Sequence, residues 1–382
     1  MVLDCIVVGA GPAGCTAAAR LARAGIRVLV LEKHTLPRYK ACAGAVSGRA
    51  IKWLDVDFMP VVEDVIRKVK VKWASGNQDP VEYVSDTPIA YLVMRARFDH
   101  LLAQQAEAAG AALHEGEKVE SINVGESAVE VRSNRSIYQA SVIIGADGAI
   151  GVTARQTGLY LPKASGIALE IEAQLPGDRL RNWKNTVLVS YGIPEYGYAW
   201  LFPKAETASI GMGTFLPRRP SFLQEFSQFA ASRGVELNDQ KLHAHPIPLG
   251  GKNRQFCRPR VLLAGDAAGL TDPLSGEGIA HALHSGSLAA DHVLAALESG
   301  DFSMARYQTA IENEINSQLR AAGKLSSAFY AYPQFFSHLF ANNQWVLQWY
   351  FELVQGRREY LNVWDLVKKL LDPRRVLRLN NS

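Results

Sequence analysis

The chain begins with blocks of apolar and small residues at short intervals. Ile6-Val7-Val8 is an uninterrupted apolar run, residues 9–14 are glycine-rich, residues 15–25 are alanine-rich with Leu21 on their apolar side, and residues 27–32 form a second apolar run ending in Glu32. Short continuous apolar runs suit strands buried on both faces, and the alanine-rich stretch stopped by Gly25 suits a helix. Further apolar runs end in small-residue turns at Gly145-Ala146-Asp147-Gly148 and at Gly265-Asp266, the second leading into a long helical stretch. Between them the pattern predicts a helix in "RARFDHLLAQQAEAAG", strands over 66–94 and 111–145, four more in "SGIALEIEAQL", "NTVLVSY", "YGYAWLFPK" and "TASIGMGTF", and a helix from Ser221, as its cap, to Gly234, as its stop. From about residue 301 the chain reads as helical and aromatic-rich, in "FYAYPQFFSHLF" and "QWVLQWYFELVQ".

The first turn carries specific chemistry. Gly9, Gly11 and Gly14 stand at GxGxxG spacing between strand and helix: the first permits the tight turn, the second a close backbone approach to a pyrophosphate, the third close helix–strand packing. The helix N-terminus presents unpaired N–H groups and the positive end of its dipole to phosphate. Glu32, closing the second strand, accepts hydrogen bonds from ribose hydroxyls, which favours FAD or NAD over NADP. The fingerprint alone does not separate the first two. In the later turn Asp266 is placed to meet a ribityl hydroxyl, or simply to form the turn. The helix start after Gly276 and Gly278 is placed to aim amides at the pyrimidine end of a flavin.

These segments resemble the flavoprotein group that contains p-hydroxybenzoate hydroxylase, and within it the geranylgeranyl reductase family. The likeness is carried by "GAGPAG" with Glu32, "RARFDHLLAQQAEAAGA", "GADG" and "LLAGDAAGLTDPLSGEGI", and by "YGYAWLFPK" at residues 196–204. It implies an α/β fold: a Rossmann-like FAD-binding domain in three pieces (1–65, 95–160 and 255–300), an inserted mixed β-sheet substrate domain (66–94 and 161–254), and a C-terminal helical cap (301–382). It implies FAD contacts from Gly9, Gly11, Pro12, Ala13 and Gly14 at the pyrophosphate turn, Glu32 and Lys33 at the ribose, and Cys42, Ala43 and Ala45 in the loop after the second strand. Arg95, Val119, Asp266, Gly278 and Ile279 complete that set. Tyr198, Trp200 and Phe202 share a strand face by period two and either line an apolar tunnel or form ordinary sheet core.

Within that frame Cys42, among small residues, is a wall beside the flavin, a catalytic participant whose thiol Lys40 or Arg38 influences, or a small filler. Lys40 and Arg38 are also candidates to meet an anionic head group. The implied activity is reduction of isoprenoid double bonds, with FAD replenished by transient NAD(P)H or an electron-donor protein. The rivals are a monooxygenase or halogenase on the same fold, and a flavin-bound binding or electron-transfer protein.

Composition changes little. The 382 residues carry a net charge of +4 with both signs interspersed, which does not favour nucleic acid as a partner. Four scattered cysteines fit a reducing, cytoplasmic compartment and suggest no metal site; His281 and His284, three apart, are read as packing or solvent-facing. The basic amphipathic tail "WDLVKKLLDPRRVLRLNNS" reads as a solvated helical face or as a peripheral membrane contact. No apolar stretch is long enough to span a bilayer.

Overall fold

The computed structural model describes residues 2–74, 79–159, 166–216, 220–238 and 240–363. The tail 364–382, and with it the membrane-contact reading, lies outside the described residues. Among those described, no helix is long and apolar enough to cross a membrane.

Two large sheets and one small one organise the chain. The first has eight strands, and its core is parallel in the order 261–263, 137–145, 3–8, 28–31, 112–114. The run Leu3–Val8 is central, and its last four residues are buried, as its continuous apolar character requires. Strands 119–124 and 129–133 join by an antiparallel ladder along residues 137–145. The helices Pro12–Arg23 and Ile279–Ser299 pack on each other so closely that a Cβ at Gly286 would lie 2.3 Å from the Ala13 carbonyl oxygen.

The second sheet has seven strands, in the order 243–247, 166–174, 207–214, 197–203, 186–191, 68–73, 81–84. Period-two alternation splits its side chains. Leu169, Ile171, Leu188, Leu201 and Ile210 pack with Phe222 and Phe226 of the helix Phe222–Ser232. The other face meets the C-terminal helices through an aromatic cluster that includes Trp73, Tyr191, Phe329, Phe340 and Tyr350.

Two expectations change. Residues 66–94 do not all join the seven-stranded sheet: Ala90–Val93 pairs instead with Ala45–Ser47 and Val62–Ile66 in a separate three-stranded sheet. The cause is local, since residues 85–89 turn the chain back so that Ile89 N–H donates to the Ile66 carbonyl at 2.7 Å. Ser221 does not cap its helix through a backbone amide; its hydroxyl donates to Glu225 Oε1 at 2.6 Å.

The tight helix crossing yields a prediction. Gly286→Ala should cost about 1–3 kcal/mol through overpacking against Ala13. Its melting temperature and its retained flavin should both fall, because the displaced helix is the one that starts at the glycine turn.

Candidate active site

One cavity of about 820 Å³ runs between the two large sheets, near the upper end of the roughly 300–1,000 Å³ usual for ligand pockets. Gly9, Gly11, Pro12, Ala13, Glu32 and Lys33 line one end. The loop residues Cys42, Ala43 and Ala45 border it with Arg95 and Val119, and Asp266, Gly278 and Ile279 line it as well. Tyr198, Trp200 and Phe202 line it too, so the period-two face is pocket wall as well as aromatic core. Of the residues assigned in the sequence to cofactor or substrate, Gly14 alone stands back from the cavity. A Cβ there would lie 1.9 Å from the Gly9 carbonyl oxygen, so it serves the turn's packing.

The turn is built as its glycines demand. Gly9 adopts φ +101°, and a Cβ would sit 2.5 Å from the Ala146 oxygen. Gly11 has open space, with only an Arg38 nitrogen at 3.8 Å. The helices beginning at Pro12 and Ile279 both lack a side-chain cap on their first amides. Both start at the cavity, which leaves two N-termini free for an anionic or carbonyl-bearing ligand. Asp147 Oδ1 is buried without a partner beside the same cavity.

Glu32 is 3 % exposed, and its two oxygens accept from the Ala10 amide at 2.9 Å and the His34 amide at 3.0 Å. A carboxylate has about four acceptor positions, so lone pairs remain for ribose hydroxyls. These open glycines, uncapped helix starts, the orphan carboxylate oxygen and Glu32 together fit FAD.

Charge beneath the cysteine loop is organised by Asp99, which sequence reasoning missed. It is fully buried and takes two bonds from Arg95, each 2.8 Å, and one from Arg38 at 3.1 Å. Arg38 Nε also lies 3.5 Å from Glu32. Burial works against the charge on Arg95, but Asp99 outweighs it and holds the guanidinium above its ordinary value. The thiol of Cys42 accepts from the Gly44 amide at 3.4 Å, and Arg95 also reaches it. Arg38 is thus committed to Asp99 and Glu32 rather than to the thiol.

Lys40 points into the cavity toward His245 Nε2 at 2.7 Å, with Asp266 at 3.9 Å. The His245 Nδ1 proton is held by the Pro246 carbonyl at 2.7 Å, so Nε2 accepts from the lysine. Burial, and then the Lys40 charge, push His245 down to about 4. Burial likewise lowers Lys40, with Asp266 opposing. His281 is 4 % exposed, whereas His284 stacks on Trp53 at 3.8 Å and meets Glu314 at 3.2 Å. Neither histidine lines the cavity.

Residues 2–225 match the family described as an FAD binding domain. The chain is 30% identical over 321 residues to geranylgeranyl diphosphate reductase of Rhodobacter capsulatus, covering 80% of this chain and 79% of that one. It is 27% identical over 330 residues to digeranylgeranylglycerophospholipid reductase of Methanosarcina mazei, covering 81% and 80%. Its fold matches a geranylgeranyl bacteriochlorophyll reductase-like protein of Thermoplasma acidophilum at TM-score 0.76 and 24% identity, covering 86% of this chain and 88% of that one. It also matches the flavin-dependent brominase Bmp2 at TM-score 0.72 and 18% identity, over 93% and 94%. The protein is an FAD-dependent oxidoreductase. More closely, it belongs to the geranylgeranyl reductase family.

Two predictions test this site. Asp99→Ala leaves the buried Arg95 guanidinium without its carboxylate and Arg38 with Glu32 alone, and should cost about 3–5 kcal/mol in denaturant unfolding, with reduced flavin content on purification. For His245 the folded state resists protonation, so the unfolded chain binds the proton first. Its contribution is intact above about pH 6.5 and is lost as pH falls toward about 4. His245→Asn should flatten the acid-side decline in unfolding midpoint across that window.

Proposed function

We propose that this protein saturates carbon–carbon double bonds of geranylgeranyl chains carried on a lipid, diphosphate or chlorophyll-precursor head group. The observation that carries the reading is the gradient along the cavity. It begins at the nucleotide turn and Glu32 and ends among Ile66, Val69, Val187, Tyr191, Phe351 and Val354, an apolar slot suited to a hydrocarbon chain. The family assignment supports it.

When bound and reduced, FAD supplies a hydride. The chain's residues do the rest. Gly9, Gly11, Pro12, Ala13 and Glu32 with Lys33 would hold the nucleotide, and Arg95, Val119, Asp266, Gly278 and Ile279 would hold the remainder of the cofactor. The small residues of the loop, Cys42, Ala43 and Ala45, would leave room for it at the cavity wall. Tyr198, Trp200 and Phe202 hold the alkene against that wall and exclude bulk water. Lys40, with neutral His245, offers an ammonium to an anionic head group. An isolated alkene is electron-rich, so one carbon must receive a proton as the other receives hydride, and two C–H bonds replace the π bond. NAD(P)H or a donor protein restores the reductant.

The likeness to halogenases lies in the fold. Oxygen dependence distinguishes the two chemistries. Reduced protein mixed without air with geranylgeranyl substrates should give products heavier by two hydrogens per bond, read by mass spectrometry. Products formed only in air would overturn the reading.

A further inference from the structure

Saturating an alkene requires a proton source, and the strand Gly166–Gln174 brings a buried carboxyl to the cavity. On that strand Ala168 and Glu170 line the cavity, while Leu169 and Ile171 face the helix behind. Glu170 is 2 % exposed and pairs across the ladder with Gly211. The absent side chain of Gly211 makes room for an indole: a Cβ there would lie 2.0 Å from Trp200 Cζ2.

Trp200 Nε1–H donates to Ser209 Oγ at 3.0 Å, and Ser209 Oγ–H donates to Glu170 Oε1 at 2.9 Å. Indole nitrogen only donates, so the serine oxygen must accept, and its single proton is directed at Glu170. Oε1 is therefore an acceptor, and a proton on Glu170 resides on Oε2. The Cys42 backbone amide lies near enough to the carboxyl to favour its charged form. Glu170 thus joins the aromatic strand to the loop assigned as the cofactor's wall.

Resting on the reductase reading, we propose that Glu170 is the general acid of alkene reduction. Its O–H bond breaks and the proton joins one alkene carbon through the π electron pair. The hydride pair forms the C–H bond at the other carbon, FAD ends oxidised, and Glu170 is left as a carboxylate. The next acidic group on the same strand face is Glu172, half-buried and accepting from the Thr207 hydroxyl at 3.1 Å.

The surroundings keep this acid neutral enough to donate. Burial pushes the carboxyl up to about 7, and Glu172 adds to that push. Ser209, Lys204 and the Cys42 amide oppose it; the Tyr39 phenol and His243, the cross-strand partner of Glu170, are further titratable neighbours. The reactive, protonated form is populated below about pH 7, so turnover should fall as pH rises through that value.

The test pairs kinetics with a spectroscopic signature. Glu170→Gln should lower the rate of isoprenoid reduction by about 100-fold or more in kcat with little change in KM, and should abolish the alkaline limb of the pH profile. Glu170→Asp should restore part of both. In infrared spectra of the FAD-loaded protein, a protonated carboxyl band should titrate near pH 7, vanish in Glu170→Gln, and titrate at lower pH in Glu172→Gln. If the Gln variant fails to take up FAD, the infrared comparison of wild type with Glu172→Gln still decides. Full-rate reduction by a flavin-replete Glu170→Gln protein, or a band unmoved in Glu172→Gln, overturns the inference alone. Wild-type, FAD-loaded protein that leaves every isoprenoid alkene intact overturns the reductase reading and the inference with it.

Discussion

A single buried ammonium holds the site together. Lys204 is 4 % exposed and donates to the carbonyls of Ala43 at 2.6 Å and Val93 at 3.1 Å. Its backbone directly follows the strand Gly197–Pro203 of the seven-stranded sheet. Its partners lie in the cysteine loop and at the end of the three-stranded sheet. Three parts of the chain distant in sequence therefore meet at one nitrogen. Burial pulls its pKa down, while Glu172, Cys42 and Glu170 favour the charged form. Gly44 is the matching constraint, with φ +74° and no room for a Cβ between the Val93 oxygen and the lysine. The loop's small residues are thus required both by the cavity in front and by the ammonium behind.

This seam explains how polar groups are distributed. Formal charges crowd the side where the loop crosses: Asp99 between Arg95 and Arg38, Lys40 against His245, and Lys204 near two glutamates. Each buried charge has a counter-charge or bonded carbonyls, the condition under which burial is tolerable. Toward the C-terminal helices the buried polar groups are paired as well, as in Tyr191 with Tyr350 at 2.5 Å, Tyr360 with Asp272 at 2.6 Å and Arg49 with Glu277 at 3.6 Å.

Legibility in the sequence followed the kind of signal available. The nucleotide turn was readable because its glycines have backbone reasons, now visible in Gly9 and Gly14, and its strand has a continuous apolar run. The face carrying Tyr198, Trp200 and Phe202 was readable from period two. The small sheet was not, because pairing between residues 45–47 and 90–93 joins segments whose local patterns say only that they are strands. Asp99 carried a faint signal, four residues after Arg95 on one helix, yet its burial depends on Arg38, sixty-one positions away. Glu170 and Glu172 also left a trace, two acids on one face of an otherwise apolar strand. Nothing local distinguishes such a pair at a wet edge from one beneath a tryptophan.

The strand bearing the aromatic motif then has a larger role than lining. Tyr198, Trp200 and Phe202 follow one another at period two on one strand face, and Lys204, the first residue past the strand, continues toward the loop across the cavity. Tyr198 anchors to the Ser275 carbonyl at 2.7 Å, in the turn before Gly278. Trp200 fixes the hydroxyl that addresses Glu170, and Lys204 fixes the loop that bears Cys42. An apolar wall alone would tolerate exchange among large hydrophobic residues. A wall whose members also carry an indole donor, a phenol donor and an ammonium would not, because each substitution releases a different partner at the cavity's edge. The motif is therefore better understood as a frame that fixes the turn before Gly278, the Ser209 hydroxyl and the cysteine loop relative to one another, with hydrophobic contact as one of its several functions.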